Sequence, residues 1–231
     1  MTPPALRAWL GLVAVLAALV VLVLGFLYAG DSTPGPWDAR LGTEAYGVGP
    51  PWRNVARALD FLGEPVGSVT LVAALVTGCL LLRRARAAAL LVAGPAAAVG
   101  TATLLKSLVG RTIHGPDNLS YPSGHTAFAT TIALVAALTA AGRPGLGRTA
   151  GLSLVLAAAA LAGAAMGWAE VALGAHYPTD ALGGWCTALA VTPATAWLID
   201  RTADRRVERP SDRPSDRTAE RMADAGRREH R

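Results

Sequence analysis

Two short segments carry residue types that can do chemistry together. Tyr121-Pro122-Ser123-Gly124-His125 places a hydroxyl, a glycine and an imidazole at what reads as the start of a helix. Pro suits a first helical turn, whose backbone N–H groups have no partners inside the helix. Gly124 permits close backbone approach and Ser123 adds a hydroxyl, so the segment is suited to cradle an anion. His125 stands one residue deeper, where it can hand over a proton. In His176-Tyr177-Pro178-Thr179-Asp180, an imidazole and a carboxylate lie four residues apart, on one face of a helix starting near Pro178. A carboxylate on one imidazole nitrogen fixes the tautomer and makes the other nitrogen a better nucleophile. Alone, this spacing also suits a helix cap; beside the first segment it reads as half of a site.

The cations point the same way. The chain has a single lysine, Lys106, among its 21 basic residues. It lies near one end of an apolar helix, where a charge is costly unless it finds a partner or snorkels to the interface. Arg111 and His114 follow closely. Lys106, Arg111, His114, His125, His176 and Asp180 are therefore expected near one membrane surface.

That expectation rests on the elements that carry these residues. The chain has 231 residues, of which 52% are hydrophobic and 16% charged, against roughly 25% charged in ordinary soluble domains. Residues 1–199 hold 11 basic and 8 acidic side chains, and the last 32 hold 10 and 8. Without its tail the chain is too poor in charge for a disordered protein or a nucleic-acid binder, despite a pI near 9.9. The expected class is all-α: a polytopic membrane protein with six transmembrane helices. The runs are Trp9 to Tyr28, about Phe61 to Leu82, about Ala87 to Val109, about Ser123 to Ala141, Thr149 to Trp168, and about Pro178 to Ile199. The first is longer than a signal-peptide core and is read as retained. Arg7, the arginines at 83, 84 and 86, Arg143, Arg148 and the tail all fall on one side. That side is expected to be cytoplasmic, with both termini on it and the candidate site facing outside.

Other features have plainer readings. Val55, Ala56, Leu59 and Leu62 have near-helical spacing and predict a short interfacial helix. Gly163 and Gly167 form a GxxxG that predicts close helix packing. Cys79 and Cys186 sit in apolar runs without metal-ligand spacing and are expected to be core residues. Residues 1–199 read as the membrane domain. Residues 200–231 read as a disordered cytoplasmic tail with alternating acids and arginines.

Together these residues resemble the type 2 phosphatidic acid phosphatases (PAP2), integral-membrane lipid phosphatases related to vanadium haloperoxidases. The resemblance covers about residues 60–195 and is strongest at Pro122-Ser123-Gly124-His125. It implies a six-helix core, a membrane lipid substrate, no cofactor and no metal. It implies that His176 is the nucleophile that forms a phosphohistidine, Asp180 its orienting carboxylate and His125 the general acid. Ser123, Gly124 and Lys106 would bind phosphate oxygens, with Arg111 and His114 as further cations. Two positions depart from the family pattern. The Arg-Pro expected after Lys106 reads Ile113-His114, and the Ser-Arg expected before His176 reads Ala169-Glu170. Each lost charge-assisted hydrogen bond is worth about 1.5–3 kcal/mol. Two such losses correspond to roughly two to four decades in rate if both act in the transition state.

The leading expectation is a bacterial-type plasma-membrane enzyme hydrolysing a lipid phosphoester or diphosphate. Polyprenyl phosphates, phosphatidic acid and phosphatidylglycerol phosphate are candidate substrates. A phosphotransferase or phosphodiesterase using the same His-His-Asp set is the alternative within enzymes. A non-catalytic headgroup binder or transporter is the alternative of another class.

Overall fold

Proline, glycine and serine mark where the helices begin and end. Pro36, Pro65 and Pro178 open helices, where a missing N–H costs nothing. Gly110, at φ 67°, closes another in the left-handed conformation, which glycine adopts without a Cβ penalty. The Ser123 hydroxyl accepts the backbone N–H of Thr126 at 3.2 Å and caps a third. The computed structural model describes residues 4–142, 145 and 147–208. Its helices are α1 (Pro4–Leu27), α2 (Pro36–Ala45), α3 (Trp52–Gly63), α4 (Pro65–Leu81), α5 (Ala85–Val109), α6 (Gly124–Ala141), α7 (Arg148–Ala172) and α8 (Pro178–Glu208). Among the described residues the β-structure is one isolated bridge, Thr112 to Leu119.

Among the described residues, five helices are long and apolar enough to cross a membrane: α1, α5, α6, α7 and α8. A sixth crossing results if α3 and α4, bent by 67°, count as one. The bend explains why the second apolar run starts later than its composition suggests. Pro65 has no N–H to continue α3, and Glu64 before it is extended, at φ −63° and ψ 154°. Gly67 lies so close to the Phe61 carbonyl that a Cβ there could not be accommodated. The expected interfacial helix is α3, with Ala56 fully buried and Leu59 packed towards Ala169 and Ala172 of α7.

The core forms around α6, which packs on α5 and α7. Leu134, Val135 and Leu138 of α6 meet Leu90 of α5, Val155 and Ala159 of α7, and Leu189 of α8. The exterior is also apolar. Phe26, Val66, Leu108 and Leu161 are each at least 70% exposed. So much exposed apolar surface around a bundle is what hydrocarbon, rather than water, accommodates.

Two readings change. Asp200, taken as the first residue of a disordered tail, is 3% exposed and within 3.9 Å of Arg86. The helix continues to Glu208, because the segment up to Pro210 holds no helix breaker. The rest of the tail, residues 209–231, lies outside the described residues, as does Arg143.

Gly163 and Gly167 both face α8, as their spacing suggested. A Cβ on Gly163 would lie 2.2 Å from the Trp185 ring and one on Gly167 would lie 3.1 Å from Ala181. Trp185 also donates its indole N–H to the Ala159 carbonyl at 2.9 Å. Gly163→Val must displace that ring. Overpacking of this kind costs about 1–3 kcal/mol, and a thermal unfolding scan in detergent is expected to show a lower midpoint.

Candidate active site

The site is assembled at one end of the bundle from the segments that follow α1, α5 and α7. Arg111, just past the Gly110 cap, turns inward and is fully buried. One Nη donates to Asp180 Oδ1 at 2.6 Å and to Thr179 Oγ1 at 2.7 Å, and the other donates to Asp38 Oδ2 at 2.6 Å. The guanidinium lies 4.1 Å from the Tyr28 ring centroid and 4.4 Å from that of Tyr177. Burial works against its charge, but the carboxylates of Asp180 and Asp38 outweigh that and hold its pKa above the usual guanidinium value. Arg111, expected among the phosphate-binding cations, is thus enclosed in protein and is not among the residues lining the cavity that holds the two histidines. Both Nη groups are committed inside the protein, and the residue is a structural anchor.

The anchor fixes Asp180. Its Oδ2 accepts the Tyr177 N–H at 3.0 Å, and its backbone carbonyl accepts the Ser123 N–H at 2.9 Å. His176 Nδ1 lies 3.7 Å from Asp180 Oδ2 and has no hydrogen-bond partner. Asp180 thus neighbours the imidazole as expected, at ion-pair rather than hydrogen-bond distance. Ser123 is fully buried and its hydroxyl serves the α6 cap. Gly184 of α8 packs on the Ser123 carbonyl so closely that a Cβ would meet it at 2.2 Å, and Gly183 does the same with the Tyr121 ring at 2.5 Å. These two glycines let α8 reach the segment that carries His125.

His125 and His176 line one cavity of about 440 Å³ with Lys106 and Gly124. Its remaining wall includes Pro65, Ser68, Val99, Thr103 and Phe128, so it passes from polar groups to an apolar flank. Lys106 donates to the Leu119 carbonyl at 2.8 Å and still lines the cavity. Two sequence candidates are placed elsewhere. His114 is exposed, at φ 61°, and its Nε2 is 2.7 Å from the Gly174 carbonyl. Its short, strained turn holds the ring outside the cavity lining. Ile113, where the pattern has arginine, is buried.

Glu170 lies between the two histidines. It is fully buried, with Oε1 at 3.0 Å from His125 Nδ1 and Oε2 at 3.5 Å from His176 Nε2. Asp60 Oδ1 lies 3.3 Å from the same His125 nitrogen. Asp60, Glu64 and Asp38 are polar site residues that the sequence reading missed. They belong to a stretch of five acids in residues 29–64 that was weighed only as loop charge. A sharper signal was available: an acid inside each short helix of an aromatic-rich membrane-boundary segment.

A family model described as the PAP2 superfamily matches residues 6–204. Among solved structures, the fold is similar to the crystal structure of a transmembrane PAP2-type phosphatidylglycerolphosphate phosphatase from Bacillus subtilis. The TM-score is 0.63 at 21% identity, over 85% of this chain and 98% of that one. No curated protein sequence matches the chain.

Removing the anchor leaves two buried carboxylates without their cation, a loss that typically costs about 3–5 kcal/mol. Arg111→Ala is expected to lower the thermal midpoint strongly. Arg111→Lys is expected to recover only part of it, since an ammonium cannot reach both carboxylates in a planar fork.

Proposed function

The chain belongs to the PAP2 superfamily, and we propose that it is an integral-membrane phosphatase acting on a lipid phosphoester or diphosphate. The observation that carries this reading is the convergence of His125, His176, Lys106 and Gly124 on one cavity with an apolar flank. A lipid phosphate has the matching halves, an anionic head and an apolar tail.

In the proposed mechanism, His176 Nε2 attacks phosphorus and the bond to the leaving oxygen breaks. That oxygen takes a proton from His125. Water then attacks the phosphohistidine while His125 takes its proton, the P–N bond breaks, and free phosphate and the imidazole are restored. Lys106 and the unpaired N–H groups at the start of α6 stabilise the developing charge. Glu170 must yield its place beside His176 Nε2, because the carboxylate stands where phosphorus would approach. This acid favours a second reading, in which the substrate carries less charge and a lipid hydroxyl rather than water accepts the phosphoryl or phosphodiester group.

The proposed setting is a plasma membrane with both termini cytoplasmic and the cavity opening outside. A membrane-impermeant thiol reagent applied to intact cells should label Asn118→Cys. Labelling only after the cytoplasm is opened would reverse the topology.

Phosphate release should be measured on purified protein with phosphatidic acid, phosphatidylglycerol phosphate and a polyprenyl diphosphate. His176→Ala is expected to reduce release to background, and retained turnover would overturn the mechanism. With a chelator present, Glu170→Arg is expected to raise monoester hydrolysis by about tenfold or more, the worth of one restored charge-assisted bond. No gain would show that Glu170 is not what limits dianionic substrates.

A further inference from the structure

A histidine that donates a proton needs both of its ring nitrogens controlled. One must face the leaving oxygen, and the other must be held so that the ring presents the right tautomer. Asp180 stands beside His176 for that purpose. For His125, two carboxylates compete for one nitrogen. Nδ1 lies 3.0 Å from Glu170 Oε1 and 3.3 Å from Asp60 Oδ1.

The two acids differ in what else they touch. Glu170 spans both imidazoles, with its other oxygen 3.5 Å from His176 Nε2. A carboxylate moves as one rigid group. Glu170 therefore cannot clear His176 Nε2 for phosphorus and keep its bond to His125 unchanged. Asp60 carries no such conflict, since among the described residues its ion-pair contact with a histidine is to His125 alone. Asp60 also belongs to an element that is well held. Ala56 of α3 is fully buried, and Leu59 packs towards Ala169 and Ala172 of α7. The Trp52 and Trp168 rings meet edge to face, with 6.3 Å between centroids. Gly63, the last residue of α3, lies so close to the imidazole that a Cβ there would be 2.3 Å from His125 Cδ2. The helix that carries Asp60 thus packs directly on the ring that Asp60 faces. A group on a packed helix keeps its geometry better than one on a loop.

We infer that Asp60 is the positioning residue of His125, accepting its Nδ1–H when Glu170 gives way to substrate. The inference rests on the phosphatase reading, in which His125 is the general acid. With Nδ1–H bonded to Asp60, Nε2 carries the transferable proton. Nε2 gives that proton to the leaving oxygen as the P–O bond breaks, and the ring is left neutral and still bonded through Nδ1. In the second step the proton lost by the attacking water returns to Nε2, and the Asp60 charge stabilises the imidazolium that re-forms. Each histidine then has its own aspartate, Asp180 for the nucleophile and Asp60 for the acid.

The test exploits the fact that a good leaving group needs no acid. Phosphate release by the full chain in detergent is measured on dodecyl phosphate and on a nitrophenyl phosphate bearing a dodecyl tail. The alkoxide of the first must be protonated as it departs, whereas the nitrophenolate of the second leaves without help. The readout is kcat/KM, which covers the steps up to departure of the leaving group. Asp60→Asn is expected to lower it about tenfold or more on the alkyl ester and by less than about threefold on the aryl ester. Asp60→Glu, which restores a carboxylate, is expected to recover part of the loss. Glu170→Gln and Glu64→Gln are expected to keep the wild-type ratio between the two esters. An equal loss on both esters in Asp60→Asn would mark a merely structural role and overturn the inference. So would a change of ratio in Glu170→Gln with none in Asp60→Asn, which would make Glu170 the positioning residue. Release that depends on His176 but shows no change of ratio in Asp60→Asn would refute Asp60 alone and leave the phosphatase standing. Release from neither ester by the wild type would overturn the reading as a monoesterase, and this inference with it.

Discussion

The enclosure of Arg111 is the constraint on which the rest of the site depends. A fully buried guanidinium must be surrounded by compensating groups, because removing it from water costs several kcal/mol. Those groups come from far apart in the chain. Asp38 belongs to α2, Thr179 and Asp180 to the start of α8, Tyr28 to the end of α1, and Tyr177 to the turn before α8. Satisfying one cation therefore fixes the ends of several elements at once. His176 is positioned as a consequence, four residues before a carboxylate that cannot move. The PSGH segment is held too, through the bond from the Ser123 N–H to the Asp180 carbonyl.

Around this anchor the charge balance of the cavity is unusual for a site that receives phosphate. Glu170 and Asp60 gather on the histidines, and Lys106 is the cation among the cavity-lining residues. An anion entering such a space meets like charge at close range, in surroundings where screening by water is weak. A substrate with less charge lowers that repulsion. The repulsion centres on one position, where a fully buried acid stands between the two imidazoles.

Much of this was legible in the sequence, and the reason differs between features. The helical membrane class followed from apolar runs and the scarcity of charge, because a bilayer imposes that requirement on each span separately. The GxxxG packing of α7 on α8 was legible because helical geometry places residues four apart on one face. The grouping of His125, His176 and Lys106 was readable from their placement at the same ends of successive spans. The kink at Pro65 shifted the second crossing, since a local breaker outweighed a continuous apolar run.

What only the tertiary structure decided is which polar groups face each other. Arg111 and Lys106 look alike as cations near one surface. One is enclosed by Asp38 and Asp180, while the other reaches the cavity wall. Nothing local separates them, because the deciding carboxylates lie some seventy residues away on either side. Asp38 and Asp60 read as ordinary loop acids until the short helices α2 and α3 folded back onto the bundle. The sequence by itself determined the helices, the membrane class and the pair of histidines, through constraints that act within one segment. The roles of Arg111, Glu170 and the acids of α3 came from contacts between segments, and charge pairing across such distances leaves no periodic trace in the chain.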